Sequence, residues 1–213
     1  MALFQLDPQN IAARVRTANP GAPLPSLAVS VRRGILGFTL VSVAGFLPWP
    51  IIDRWFHDLR EMHLYAACTA VFIGLSGVCL HRLILGDGSL SRFYKLFALA
   101  FGAYVVGWVV PWVILRDDSG VIAGLLAGTA LMGAILCLAF DAARVMPQVI
   151  AALFALNGLG YYVGGEALGK LGHDHRIAGI VLWGMCFGIG LGAGLGVAFH
   201  LCQTRARALL RSG

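Results

Sequence analysis

Six apolar runs dominate this chain, at about residues 34–52, 63–85, 94–115, 120–140, 145–163 and 177–202, and the spacers between them are short. Each run is close to the roughly 20 residues that an α-helix needs to cross a hydrocarbon core about 30 Å thick. No water is available in such a core to satisfy backbone N–H and C=O groups, so a long apolar run survives there as a helix that bonds within itself. Composition agrees: 59% of residues are hydrophobic and 12% are charged, against about 25% charged in an average soluble domain. The expected fold is all-α, a polytopic membrane bundle of six transmembrane helices. Its expected parts are an N-terminal segment over 1–33, a transmembrane domain over 34–203 and a basic tail over 204–213, with no room for a separate soluble domain.

Charge sets the orientation. Alternate sides of the six spans receive eleven basic residues (Arg14, Arg16, Arg32, Arg33, Arg82, Arg92, Lys95, Arg144, Arg205, Arg207, Arg211) and five (Arg54, Arg60, Arg116, Lys170, Arg176). The positive-inside rule puts the richer side in the cytoplasm, with both termini there; we call it the inner end. The basic balance, net +6, is then explained by topology and by attraction to anionic lipid, and it calls for no nucleic-acid partner. The bilayer is the expected surrounding, in a cell membrane of the bacterial inner-membrane kind. The first ten residues carry no basic residue and precede no apolar core, so the first span is expected to act as the insertion signal. Residues 8–18 read either as a short helix on the inner surface or as a tail without structure.

Gly184, Gly188, Gly192 and Gly196 recur every fourth residue in the last span. At helical spacing they share one face and make a groove without side chains, where a helix, a lipid or a flat cofactor can approach closely. The groove is expected to meet the second or fifth span. Histidines bracket both of the spans in question. His63 and His81 flank the second, His173, His175 and His200 the sixth, and Gly77-Val78-Cys79-Leu80-His81 echoes Gly196-Val197-Ala198-Phe199-His200. Paired imidazoles from two helices are what a bis-histidine haem uses, and His63, His81, His175 and His200 are the candidate ligands for a haem or a divalent metal. The spacings of about 27 Å and about 37 Å along the two helices let at most one pair lie level.

Other polar residues mark further candidates. Asn157 is the one amide well inside an apolar span, and the glycines after it suggest a fifth span whose outer half is distorted, a place where transporters build sites. The outer loops gather Asp53, Arg54, His57, Asp58, Arg60, Glu61 and His63 with Glu166, His173, Asp174 and His175. Imidazole and carboxylate together can hold a metal or move protons, and they are also what any headgroup-level loop contains. Asp141 and Arg144, three apart near the end of the fourth span, read as an ion pair on one helix face. The tryptophans read as an interfacial belt, and Cys68, Cys79, Cys137, Cys186 and Cys202, none in a Cys-x-x-Cys pair, as packing residues.

Two activities are excluded by missing residues. The last span has no lysine for a retinal Schiff base, and no Walker loop is present. Three functions stay open. The first is a small permease or small-molecule-binding protein with a site between spans two, five and six, using Asn157, His63, Glu166, His175, Gly188 and Gly192. The second is a haem- or metal-binding redox subunit using the paired histidines. The third is a scaffold that docks a membrane-protein partner, or a second copy, through the glycine face.

Overall fold

The computed structural model describes residues 3–18, 21, 23–49, 61–171 and 175–212. The helices among them are α1 (Pro8–Ala18), α2 (Leu27–Phe46), α3 (Glu61–Leu80), α4 (Ser89–Leu115), α5 (Asp118–Ala139), α6 (Met146–Leu171), α7 (Arg176–Cys202) and α8 (Thr204–Arg211). Helices α2 to α7 are each long and apolar enough to cross a membrane, as the six runs predict. The chain is a multi-pass, all-helical membrane protein. Of the outer-loop residues singled out from sequence, Asp53, Arg54, His57, Asp58, Arg60, His173 and Asp174 lie outside the described residues.

Local chemistry sets most helix ends. Asp7 caps α1, accepting the Asn10 N–H at 3.1 Å, with Pro8 at the first helical position where a missing N–H costs nothing. Ser26 caps α2, accepting from Val29 N at 3.3 Å, so the first membrane helix begins seven residues before its apolar run. Arg32 and Arg33 lie on its exposed face, where long stems carry their charge toward the headgroups. Arg116, in the left-handed region at φ 57°, ends α4, and the Asp117 carboxylate caps α5 by accepting Gly120 N at 2.9 Å.

Two expectations fail. Helix α6 runs unbroken for 26 residues through Asn157 and the glycines after it; Gly160 and Gly164 serve close approach to α7, while Gly158 and Gly165 face open space. A Cβ on Gly160 would collide with Cys186 O of α7, and one on Gly164 with Trp183. Asp141 pairs with Arg205 at 2.6 Å and not with Arg144. Helix α5 ends at Ala139 and Asp141 takes φ 52°, so the three-residue helical spacing does not apply there.

The six membrane helices form a closed ring in which neighbours run α2, α3, α4, α5, α6, α7 and back to α2. Phenylalanine fills the middle. Phe93, Phe97, Phe101 and Tyr104 stack down one face of α4, with successive centroids 5.2, 5.2 and 5.6 Å apart. Phe38 of α2, Phe72 of α3 and Phe187 of α7 close on the same column. The inner end is shut by loops and terminal helices. Gln203, 1% exposed, accepts from Leu85 N at 2.9 Å and donates to Leu83 O at 2.9 Å and Phe199 O at 2.8 Å, tying the α3–α4 loop to the end of α7. Helix α1 lies against α8, Arg16 donating to Leu209 O at 2.7 Å. Buried Arg207 donates to Pro25 O at 2.6 Å; its burial, with Arg211 beside it, lowers its guanidinium below the ordinary value.

Candidate functional site

The glycine face of α7 meets α2. A Cβ on Gly188 would lie 2.6 Å from Thr39 Cα, one on Gly192 2.5 Å from Gly34 O, and one on Gly196 2.6 Å from Ser30 O. Ser42 Oγ completes the contact, donating to Gly184 O at 2.7 Å. The groove is thus occupied along its length by the first membrane helix, by its backbone at Gly188, Gly192 and Gly196 and by the Phe46 and Ser42 side chains at Gly184. The second and fifth, named from sequence, do not fill it. Gly190 and Gly194 on the opposite side of α7 press against Leu156 and Gly160, and against Leu153, of α6.

That packing also fixes where the histidines go. Helix α7 lies between α2 and α6, and the one-turn helix His81–Leu83 that follows α3 reaches it. His81 Nδ1 hydrogen-bonds Ser89 Oγ at 2.9 Å. His200 Nδ1 is buried without a partner, near Arg207 and Arg211. His63, Glu166 and His175 are exposed toward the outer end. Among the described residues no group of three or more His, Cys, Asp or Glu side chains is close enough to hold a metal ion.

Asn157 sits inside the ring, fully buried. Its Nδ2 donates to Tyr104 Oη at 3.0 Å, linking α6 to α4, while its Oδ1 is buried with no donor. Tyr104 in turn lines a cavity among the described residues.

This cavity, about 210 Å³, opens in the outer half of the ring. Five helices supply its wall: α2 through Gly45 and Phe46 with Trp49 just beyond, α3 through Tyr65, Cys68, Thr69 and Phe72, α4 through Phe101, Tyr104, Trp108 and Trp112, α6 through Tyr161, and α7 through Trp183 and Phe187. Eleven of the seventeen lining residues are aromatic and none is charged, which decides the chemistry the space can accept. The rings brace one another, Phe46 to Trp183 at 5.3 Å, Trp49 to Trp183 at 5.5 Å and Tyr161 to Trp183 at 5.4 Å. The indole N–H groups of Trp108 and Trp183 are buried without an acceptor. A groove on the lipid-facing side of the α3–α4 seam shares Tyr65, Thr69, Val105 and Val109 with this cavity. Those four side chains line both spaces.

No protein-family model matches the chain, and no curated protein or solved structure is similar to it at a significant level. The functional reading rests on the geometry of the site.

The sequence reading missed this cavity. Its signal was on one face of α4, where Phe93, Phe97, Phe101, Tyr104, Trp108 and Trp112 recur at spacings of four, four, three, four and four. A stripe that continues from interface to midplane lines an interior, whereas a headgroup belt is confined to the ends.

Proposed function

We propose that this multi-pass membrane protein binds a small, uncharged, largely apolar molecule in the ring-lined cavity and receives it from the bilayer through the α3–α4 seam. The observation that carries the reading is a cavity walled by five helices and eleven aromatic rings with no charged residue on its surface. A dry apolar cavity of about 150 Å³ is enough to hold benzene, so this one suits a molecule of one or two rings. Ring faces attract organic cations as well, but taking a full charge out of water needs a counter-charge that the wall lacks, and a neutral ligand is favoured. The cavity is walled by the first, second, third, fifth and sixth spans, and none of Asn157, His63, Glu166, His175, Gly188 and Gly192 lines it. The Gln203 knot and the terminal helices seal the inner end, which supports binding more than passage through the ring.

The test uses 1-aminonaphthalene, a neutral two-ring fluorophore, titrated into the purified protein in detergent. Saturable fluorescence enhancement is expected, and Thr69→Phe or Cys68→Phe, which fill the space, should abolish it while the unfolding midpoint holds. Equal enhancement in a folded Thr69→Phe protein sinks the reading.

A further inference from the structure

Arg92 is 7% exposed, and among the described residues it forms no ion pair. Its Nε and Nη2 donate to Gly88 O at 3.2 Å and Asp87 O at 2.6 Å, and its Nη1 is buried with no partner. Both carbonyls belong to the turn that opens α4, so the guanidinium is held against that helix's N-terminus. There Gly88, at φ 66°, occupies the cap position and offers no side-chain bond to the first turn. The backbone N–H groups of Ser89, Leu90 and Ser91 are those a helix leaves without an internal acceptor.

Arg14 reaches the same turn from α1. Its Nη1 is 3.8 Å from where a Cβ on Gly88 would be, and its own Cβ would be 3.1 Å from one on Gly86. A side chain at Gly86 would crowd Arg14, whereas a Cβ at Gly88 would make ordinary contact with it. Gln5 Oε1 accepts from Arg14 Nη2 at 2.6 Å, and no carboxylate pairs with Arg14 among the described residues. Asp87, exposed, is the acid of the turn. Two guanidiniums and the positive end of a 27-residue helix thus converge, one of the two buried, an arrangement that is costly until an anion joins it.

We propose that the first turn of α4, with Arg14 and Arg92, binds a phosphate group at the inner face. A tetrahedral oxyanion accepts from several N–H groups of a helix N-terminus at once and bidentately from guanidinium forks, and the exposed Ser91 hydroxyl adds a donor. The turn opens a membrane-spanning helix, so it stands at headgroup depth. An anionic lipid headgroup and free phosphate share this chemistry.

Thermal unfolding in dodecyl maltoside separates the two sources. The protein is titrated with phosphatidylglycerol, with phosphatidylcholine and with inorganic phosphate, for the unmodified chain, Arg14→Gln, Arg92→Lys and Arg144→Gln. A saturable rise in Tm with phosphatidylglycerol and none with phosphatidylcholine is expected, and Arg14→Gln should weaken it about tenfold, as loss of a charge-assisted hydrogen bond does. Arg92→Lys keeps charge but loses the fork and should also weaken it; Arg14, on the surface of the turn, carries the test if that variant fails to fold. Arg144, exposed on the α5–α6 connection, should be silent. A matching rise with inorganic phosphate assigns the site to the free anion, and a rise with phosphatidylglycerol alone assigns it to lipid. Equal response to the two lipids with none to phosphate, an Arg14→Gln protein that responds like the unmodified one, or an equal loss in Arg144→Gln overturns the proposal.

Discussion

Helix α7 and helix α3 solve the same packing problem in opposite ways. Along α7, glycines on two sides let α2 and α6 approach until backbone touches backbone, and no space is left between them. Along the outer half of α3 the contacts are made by rings, Phe72 against Phe38, Phe46 and Phe101 at 5.2 to 5.9 Å, and large flat groups leave a gap beside them, whereas its inner end meets Gly37 of α2 closely through Cys79 O and Leu80. Apolar lipid tails supply no hydrophobic force between helices, so close van der Waals contact and buried polar bonds hold such a bundle together. Small residues make the contact tight, and rings make it porous. The glycine stripe that looks most like a binding groove in the sequence is the least able to bind anything, while the aromatic seam keeps room for a guest.

Adding bulk on each side tests the contrast most directly. Gly192→Leu should destabilise the protein by about 3 kcal/mol or more, since overpacking a tight core costs of that order and the obstacle is Gly34 O, a backbone atom that cannot swing aside. Unfolding in mixed micelles would measure it, and a Gly192→Leu protein as stable as the parent would mean that the α2–α7 seam yields. The same kind of change at Thr69, Thr69→Phe, should cost less than about 1 kcal/mol because the new ring enters existing space. A loss as large as that at Gly192 would erase the distinction between the seams.

Smaller effects sharpen it. Asn157→Ala removes a single bond, Nδ2 to Tyr104 Oη, and should cost about 1 kcal/mol. A double-mutant cycle with Tyr104→Phe isolates that bond, and perfect additivity would show that the pair does not couple α6 to α4. Least of all should come from Asp141→Asn. The Arg205–Asp141 pair is 63% and 68% exposed on its two sides, and ion pairs in water contribute roughly 0.5 kcal/mol or less; a shift above that would mark the inner end as less wetted than its exposure implies.

The bundle was legible because membrane helices declare themselves by composition. The six spans and the burial of Asn157 could be read from residue types, whereas residues 8–18, which form the helix Pro8–Ala18, read equally as a tail. What could not be read was pairing. Helical spacing places Gly184 to Gly196 on one face, but the residues that fill it, Gly34 and Ser30 among them, are over 140 positions away and carry no mark of their partner. The cavity was hidden for a related reason. Trp108, Trp112 and Trp183 are the residue type expected at headgroup level, and only the ring column from Phe93 to Tyr104 below two of them shows that they face inward. Asp141 misled because a spacing of three means contact only while the helix lasts, and α5 had already ended.

The Ser42–Gly184 bond joins residues 142 apart, and the seam around it decides the order in which the protein can be assembled. Spans enter the bilayer from the N-terminal side as they are made. Helix α2 must therefore wait beside the translocation machinery with Gly34 and the Ser42 hydroxyl turned toward lipid until α7, the last of the six, arrives to cover them. Until then the ring is an open crescent whose free edge is a glycine-lined helix, the very surface best suited to grip a neighbouring chain. Closure of the ring waits on α7, and a delay in making it leaves the chain most adhesive at its first span.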